Sequence, residues 1–403
     1  MLALAGARSA RFALRAALAL TLVAGQLGAA ARPLAAQQPQ SGEVVLKSPQ
    51  AIVMDAETGA VLYARNADEL VPPASMSKLM LLIMVFLALR SGELKPDTEF
   101  LMSEYAWRNG GAPSRAPAMF VPLGKTAKVE ELIKGIIVQS ANDAAISIAE
   151  NMKGSEALFA EAMTAEARRL GLKESVFKNA TGFYHPEHLM TVRELAQLAR
   201  YIIKEFPEHY PLFSQREFFY RTHKFHSRNP LLGLVAGVDG LKTGFIKEGG
   251  HGIVASAKQD NRRLIVVTHG APTAEERRDD ARRLLEWGFR NYSEARLFDA
   301  GEIVGYARVL GGERMYMPLV GGEGVSVVLP RFPANPKVSA RIFYKGPLKP
   351  PLRKGDPVGT LRVTTANDAT SEVPLYAAED VGQAGFVRRG LDSLLYLATR
   401  WIP

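Results

Sequence analysis

The chain has no cysteine in 403 residues, which excludes disulfide staples and thiolate chemistry and is compatible with an exported protein without demonstrating export. It has no glycine-rich phosphate loop. It also lacks a His-Glu-x-x-His element: His185/His188 and His223/His226 have a ligand-like spacing, but without that element they read as free or core histidines rather than a metal site. Neither sign of charge dominates. Fifty basic residues face 41 acidic ones, a net +9 that falls to +5 once the four arginines of the first 36 residues are subtracted, so no nucleic-acid partner is indicated. No internal repeat is present, and the apolar run from Ala16 to Ala24 is too short for a comfortable membrane span.

What is present is an ordinary globular composition, 47% apolar and 23% charged, with room for two or three domains. Residues 1–36 stand apart. Arg8, Arg11 and Arg15 precede the apolar run, and small residues follow through Ala36, the layout of a secretory signal peptide cleaved between Ala29 and Ala36.

After a Gln/Pro/Ser linker at 37–42, residues 51–63 predict two strands with a turn at Glu57 to Gly59, where Asp55 and Glu57 read as turn residues. Apolar residues at 129, 132, 133, 136 and 137 predict a helix over 128–138, with further helices at about 143–152 and 156–170. Thr191-Val-Arg-Glu194 has the spacing of a capping box opening a helix through Ile203. Segments beginning at Val238, Gly252 and Arg263 predict successive strands, and Arg277 to Phe289 a closing helix. Strand, helices, then antiparallel strands predict an α/β (α+β) domain with helices packed on a sheet, over 42–292. From 295 to about 382, short β-rich runs between Gly and Pro turns predict a small all-β domain.

The chemistry centres on residues 71–90. Pro72 and Pro73 cannot sit inside a helix, while Met76 to Leu89 is apolar almost all round, so a buried helix is expected to start near Ser75. The first turn of a helix carries free N–H groups and partial positive charge, which favour an oxyanion. Lys78, three residues on, returns to the same face. Desolvation there would lower its pKa toward neutrality, as a serine-activating base requires. Ser-x-x-Lys alone is a weak signal, because ordinary usage gives roughly one chance match in a chain this long. Ser175-x-x-Lys178 is a second copy, but it reads as a strand entering a loop.

Two more motifs strengthen the first. Ser140-Ala-Asn142 offers a hydroxyl and an amide two residues apart where a helix ends, with Ser227-Arg-Asn229 as a rival. Lys242-Thr243-Gly244 occurs once, on a predicted strand: a cation, a hydroxyl, and a glycine that leaves room for a ligand backbone. The order Ser-x-x-Lys, Ser-x-Asn, Lys-Thr-Gly resembles the penicillin-recognising serine acyltransferases. Residues 42–290 are similar to low-molecular-weight penicillin-binding proteins of the D-alanyl-D-alanine carboxypeptidase type, on Pro-Pro-Ala-Ser-Met-Ser-Lys, Gln-Ser-Ala-Asn-Asp-Ala-Ala, Asn-Ala-Thr-Gly-Phe and Val-Asp-Gly-Leu-Lys-Thr-Gly.

The resemblance implies a penicillin-binding, serine β-lactamase-like transpeptidase domain followed by the all-β domain. It implies that Ser75 attacks the penultimate D-Ala carbonyl, Lys78 takes its proton, and Ser140 passes a proton to the leaving amine. Asn142 would orient Lys78 and the substrate amide, Lys242 would add positive field near Ser140, and Thr243 would bind the terminal carboxylate. The N–H groups of Ser75 and Phe245 would hold the oxyanion, each donor being worth ~3 kcal/mol where such donors have been removed. Phe245 stands where several relatives carry a polar residue. Arg277 aligns with a carboxylate-binding arginine, although Glu275-Glu-Arg-Arg-Asp-Asp also reads as a solvated helix start.

No cofactor or metal is implied. The partners implied are a peptidoglycan pentapeptide stem and β-lactams, which would acylate Ser75 as slowly released substrate mimics. A D,D-endopeptidase, a β-lactamase and an inactive envelope-binding scaffold are the alternatives. Residues 385–403 place Val387, Leu391, Leu394, Leu395, Ala398 and Ile402 on one face and Arg388, Arg389, Asp392 and Arg400 on the other. They fit a helix lying in a membrane interface, attaching a periplasmic protein to the outer face of the inner membrane. Docking on the chain's own β domain is the alternative.

Overall fold

The computed structural model describes residues 44–331, 337–365 and 370–399. The expected leader, the linker at 37–42 and the tail residues Arg400, Trp401 and Ile402 lie outside the described residues.

A five-stranded antiparallel sheet organises the first domain. The first two strands, β1 (Gln50–Asp55) and β2 (Val61–Arg65), form the predicted hairpin. Asp55 holds its turn by accepting from the Thr58 N–H and hydroxyl, both at 2.8 Å. A 3-10 turn, Ala74–Ser77, runs directly into helix α1 (Lys78–Ser91). Strand β3 (Glu99–Leu101) pairs with β4 (Thr126–Lys128), with helix α2 (Glu104–Gly110) between them. Helices α3 (Val129–Val138), α4 (Asn142–Lys153), α5 (Glu156–Arg169) and α6 (Val192–Glu205) follow. After a small hairpin, β5 (Glu217–Tyr220) and β6 (His223–His226), come β7 (Val238–Ile246), β8 (Gly250–Gln259), β9 (Arg262–Ala271) and helix α7 (Ala274–Asn291). The sheet order β2-β1-β9-β8-β7 leaves β7 as an edge strand.

Side chains on the central strands alternate faces with period two, and both faces are covered. Ile52, Met54, Val254, Ile265 and Val267 face the helical layer, while Val53, Ile253, Ala255, Leu264 and Val266 pack under α7. At the centre of the helical layer lies α1, whose Leu79 through Ile83, Val85 and Phe86 are fully buried. Each such side chain contributes about 1.5–3 kcal/mol relative to exposure. Residues Ala74–Ser91 are long and apolar enough to cross a membrane, and here they form a core helix.

Thr191 caps α6 by accepting from the Glu194 N–H, but the expected capping box is only half made. The Glu194 carboxylate does not return to Thr191. Instead it accepts from the Ser175 hydroxyl (2.5 Å), the Ser175 N–H (2.7 Å) and the Glu174 N–H (2.9 Å), because the loop before α6 turns three donors toward it, two of them on the buried Ser175.

Strand β10 (Tyr292–Phe298) continues from α7 and pairs with β13 (Val325–Pro330). The remaining strands, β11 (Ile303–Arg308), β12 (Tyr316–Gly321), β14 (Val338–Tyr344), β15 (Pro357–Thr365) and β16 (Thr370–Ala377), make a sheet ordered β11-β12-β16-β15-β14 around a core of its own. Helix α8 (Phe386–Thr399) touches this domain through a polar residue: Asp392 accepts from the Gly311 N–H at 2.6 Å and lies 3.6 Å from Arg308. Its apolar residues Phe386, Val387, Leu391, Leu394 and Leu395 are exposed.

Candidate active site

The 3-10 turn ahead of α1 puts Ser75 at the mouth of an open cleft of about 630 Å³ and sends Lys78 into the core, where it is 0% exposed. Three groups surround the Lys78 amine: the Ser75 Oγ at 2.8 Å, the Asn142 Oδ1 at 2.7 Å, and the carbonyl oxygen of Thr181 in a short contact. Burial lowers the Lys78 pKa to about 7; the Glu156 carboxylate opposes the shift and Arg228 reinforces it. A neutral amine has two N–H donors and one lone pair. The two carbonyl oxygens can only accept and so take the N–H groups, leaving the lone pair for the one neighbour with a proton to give, the Ser75 hydroxyl.

The Thr181 carbonyl is held in place by its own loop, where Asn179 Oδ1 accepts from the Gly182 N–H at 2.7 Å and the Thr181 hydroxyl at 3.1 Å. Gly182 sits at φ +80°, and a Cβ there would lie 2.1 Å from the Ala74 carbonyl oxygen. Only glycine lets the loop come this close to the nucleophile's turn. The segment Asn179-Ala-Thr-Gly-Phe is recognisable in the sequence, but no role followed for Thr181, because a main-chain oxygen leaves no residue signature.

Ser140 lies between α3 and α4 with φ +64°, in the left-handed region that non-glycine residues seldom adopt. Its Oγ accepts from the Lys242 Nζ at 2.9 Å, and Lys242 also donates to the Thr243 carbonyl at 3.0 Å. Lys242 is buried, and burial first, then the charges of Lys78, Arg228 and Arg277, push its pKa well down. Strand β7 carries Lys242, Thr243, Gly244 and Phe245 along the cleft edge. Gly244 lines the cleft, but the space left by its missing side chain is not ligand space as expected. A Cβ would meet the Pro73 carbonyl at 3.0 Å, Ala74 at 3.1 Å and Met76 at 3.2 Å, so the glycine lets the strand pack on the Ser75 turn.

Phe245 is 57% exposed and stacks on its cross-strand partner His251 at 4.2 Å. Arg277, in the first turn of α7, is 9% exposed and lines the cleft with its Nε unpartnered, unlike a solvated helix start. The structure thus gathers Ser75, Ser140, Asn142, Thr243, Gly244, Phe245 and Arg277 around one opening, with Lys78 and Lys242 beneath it. Two cleft residues that the sequence did not single out are Arg115 and Arg228.

Apart from Arg228, the rival motifs go elsewhere. Asn229 is buried and ties Gly240 to Leu231. Ser175 binds Glu194, and Lys178 pairs with Glu187 at 3.0 Å. His188 packs against Phe177 in the core.

This arrangement of a desolvated lysine on a helix-turn serine, a Ser-x-Asn loop and a Lys-Thr-Gly edge strand has close counterparts. The profile described as D-alanyl-D-alanine carboxypeptidase matches residues 34–273, more than half of the chain. The chain belongs to the D-alanyl-D-alanine carboxypeptidase family. A second profile, the C-terminal domain of penicillin-binding protein 5, matches residues 292–383. D-alanyl-D-alanine carboxypeptidase DacC of Escherichia coli is 33% identical over 352 residues, 87% of this chain and 88% of that one. DacF of Bacillus subtilis is 31% identical over 353 residues, 86% and 89% of the two chains. Penicillin-binding protein 5 from Haemophilus influenzae superposes with a TM-score of 0.73 at 31% identity, covering 84% of this chain and 98% of that one. The expected penicillin-binding fold with its trailing β domain is borne out, as is the reading of the chain as a serine-type D,D-carboxypeptidase.

Proposed function

We propose that this carboxypeptidase removes the terminal D-Ala from peptidoglycan pentapeptide stems through an acyl-enzyme on Ser75. The observation that carries the reading is the Lys78 amine, fully buried and facing two carbonyl oxygens and one hydroxyl. Neutral Lys78 takes the Ser75 proton as Oγ adds to the penultimate D-Ala carbonyl, and the N–H groups of Ser75 and Phe245 receive the oxyanion. The proton taken up by Lys78 returns through the Ser140 hydroxyl to the departing D-Ala nitrogen as the C–N bond breaks, which leaves Ser140 a hydroxyl and Lys78 a neutral amine. The substrate's terminal carboxylate meets Thr243 and Arg277, and Lys242 adds positive field beside Ser140. Water then adds to the ester, loses a proton to the same machinery, and releases the tetrapeptide and Ser75.

β-Lactams enter the same path as strained amides and leave a slowly hydrolysed ester. Residues 1–36 direct export, and 385–403 hold the enzyme to the outer face of the inner membrane through the exposed apolar side of α8. The test is mass spectrometry of a pentapeptide and a cross-linked stem dimer incubated with the protein. Loss of one alanine from the pentapeptide, absent in Ser75→Ala, is expected; cleavage of the dimer alone, or alanine release that persists in Ser75→Ala, overturns the assignment.

A further inference from the structure

Three guanidinium groups line the cleft, and they are not equivalent. The charge of Arg277 bears on Lys242, and that of Arg228 on both Lys242 and Lys78. Arg115 comes from the helical half of the domain and is exposed on the wall of the cleft which that half supplies. Among the described residues its side chain has no carboxylate partner.

That wall is built rather than loose. The carboxylate of Asp143, itself 0% exposed, accepts from the Met119 N–H (2.9 Å), the Phe120 N–H (2.9 Å) and the Val121 N–H (3.3 Å). The Asn142 N–H donates to the Pro117 carbonyl at 2.8 Å. Both ends of the segment are held in the left-handed region, Arg115 at φ +56° and Phe120 at φ +62°. Non-glycine residues persist there only where the surroundings over-determine them, and such positions cluster at functional sites. The same two residues that begin α4, one of them a Lys78 partner, therefore fix the backbone that carries Arg115.

Granted the carboxypeptidase reading on which this rests, the terminal carboxylate is taken up at the Thr243 and Arg277 end, so what passes Arg115 is the part of the stem upstream of the scissile bond. We infer that Arg115 is a specificity-determining residue that pairs with a second, side-chain carboxylate on the acyl-donor portion of the substrate, so that the preferred stem carries two carboxylates. A guanidinium suits this because its planar fork matches a carboxylate in two-point contact.

The test uses two pentapeptides identical except for the side chain preceding D-Ala-D-Ala, which ends in a free carboxylate in one and in its primary amide in the other. The wild-type enzyme is expected to favour the carboxylate stem about five- to tenfold in kcat/KM, chiefly through KM. Arg115→Gln brings that ratio to about one, and Arg115→Lys restores part of it. A wild-type ratio of one, or equal losses on both stems in Arg115→Gln, overturns the assignment of Arg115 while turnover itself upholds the carboxypeptidase reading. Turnover of neither stem overturns that reading and this one with it.

Discussion

The segments around Ser75 and Ser175 carry the same Ser-x-x-Lys spacing in two physical settings. At the first, the lysine points into the core from a helix apolar on every side, meets two carbonyl oxygens and a hydroxyl, and titrates at about 7. At the second, the lysine reaches water and a glutamate, and the serine hydroxyl is already donated to the buried Glu194 carboxylate. A hydroxyl committed to a carboxylate and a lysine facing water have no shared proton to move. Spacing brings the groups to one face, and it is the exclusion of water and the arrangement of acceptors around the amine that make it a base.

The sharpest way to break this contrast is to remove each lysine in turn. Lys78→Met should lower the rate constant for acylation by a fluorescent penicillin by roughly 10²- to 10⁴-fold, the usual contribution of a positioned base. Lys178→Met should change it less than about twofold. Equal effects would mean that burial is not what separates the two sites.

Next comes the pH dependence. A protonated amine has no lone pair, and the Lys78 pKa is lowered to about 7, so acylation should fall about tenfold per pH unit below that value and flatten above it. A limb near the ordinary lysine range would show that the amine is hydrated in solution.

The smallest expected effect belongs to the second segment. Ser175→Ala removes one of three hydrogen bonds to Glu194 and should cost about 1 kcal/mol, read as a lower urea midpoint, with the acylation rate within about twofold of wild type. A rate loss matching that of Lys78→Met would give Ser175 a part in the chemistry.

Side chains with a distinctive chemical type were legible before the fold was known. Ser75, Lys78, Ser140 and Lys242 were recognisable from order and residue type, and the buried helix followed from the unbroken apolar run after two prolines. Four features were not. The Thr181 carbonyl is main chain, present at every position. Glu194 has the spacing of a reciprocal cap but finds stronger donors in a loop some twenty residues away, which local pattern cannot reveal. Gly244 announces missing volume, and only the tertiary arrangement tells that Pro73, Ala74 and Met76 fill it. Nothing in the sequence separates Arg115 from the other arginines, because the ties of its wall to Asn142 and Asp143 are made only in the fold.

The Ser75 turn is held between Gly182 on one side and Gly244 on the other, two residues that reach it from distant parts of the chain. Until both have docked, the serine is an ordinary alcohol beside an ordinary ammonium. The polypeptide is thus chemically idle until it has folded, and covalent capture by a β-lactam doubles as a report that folding has finished.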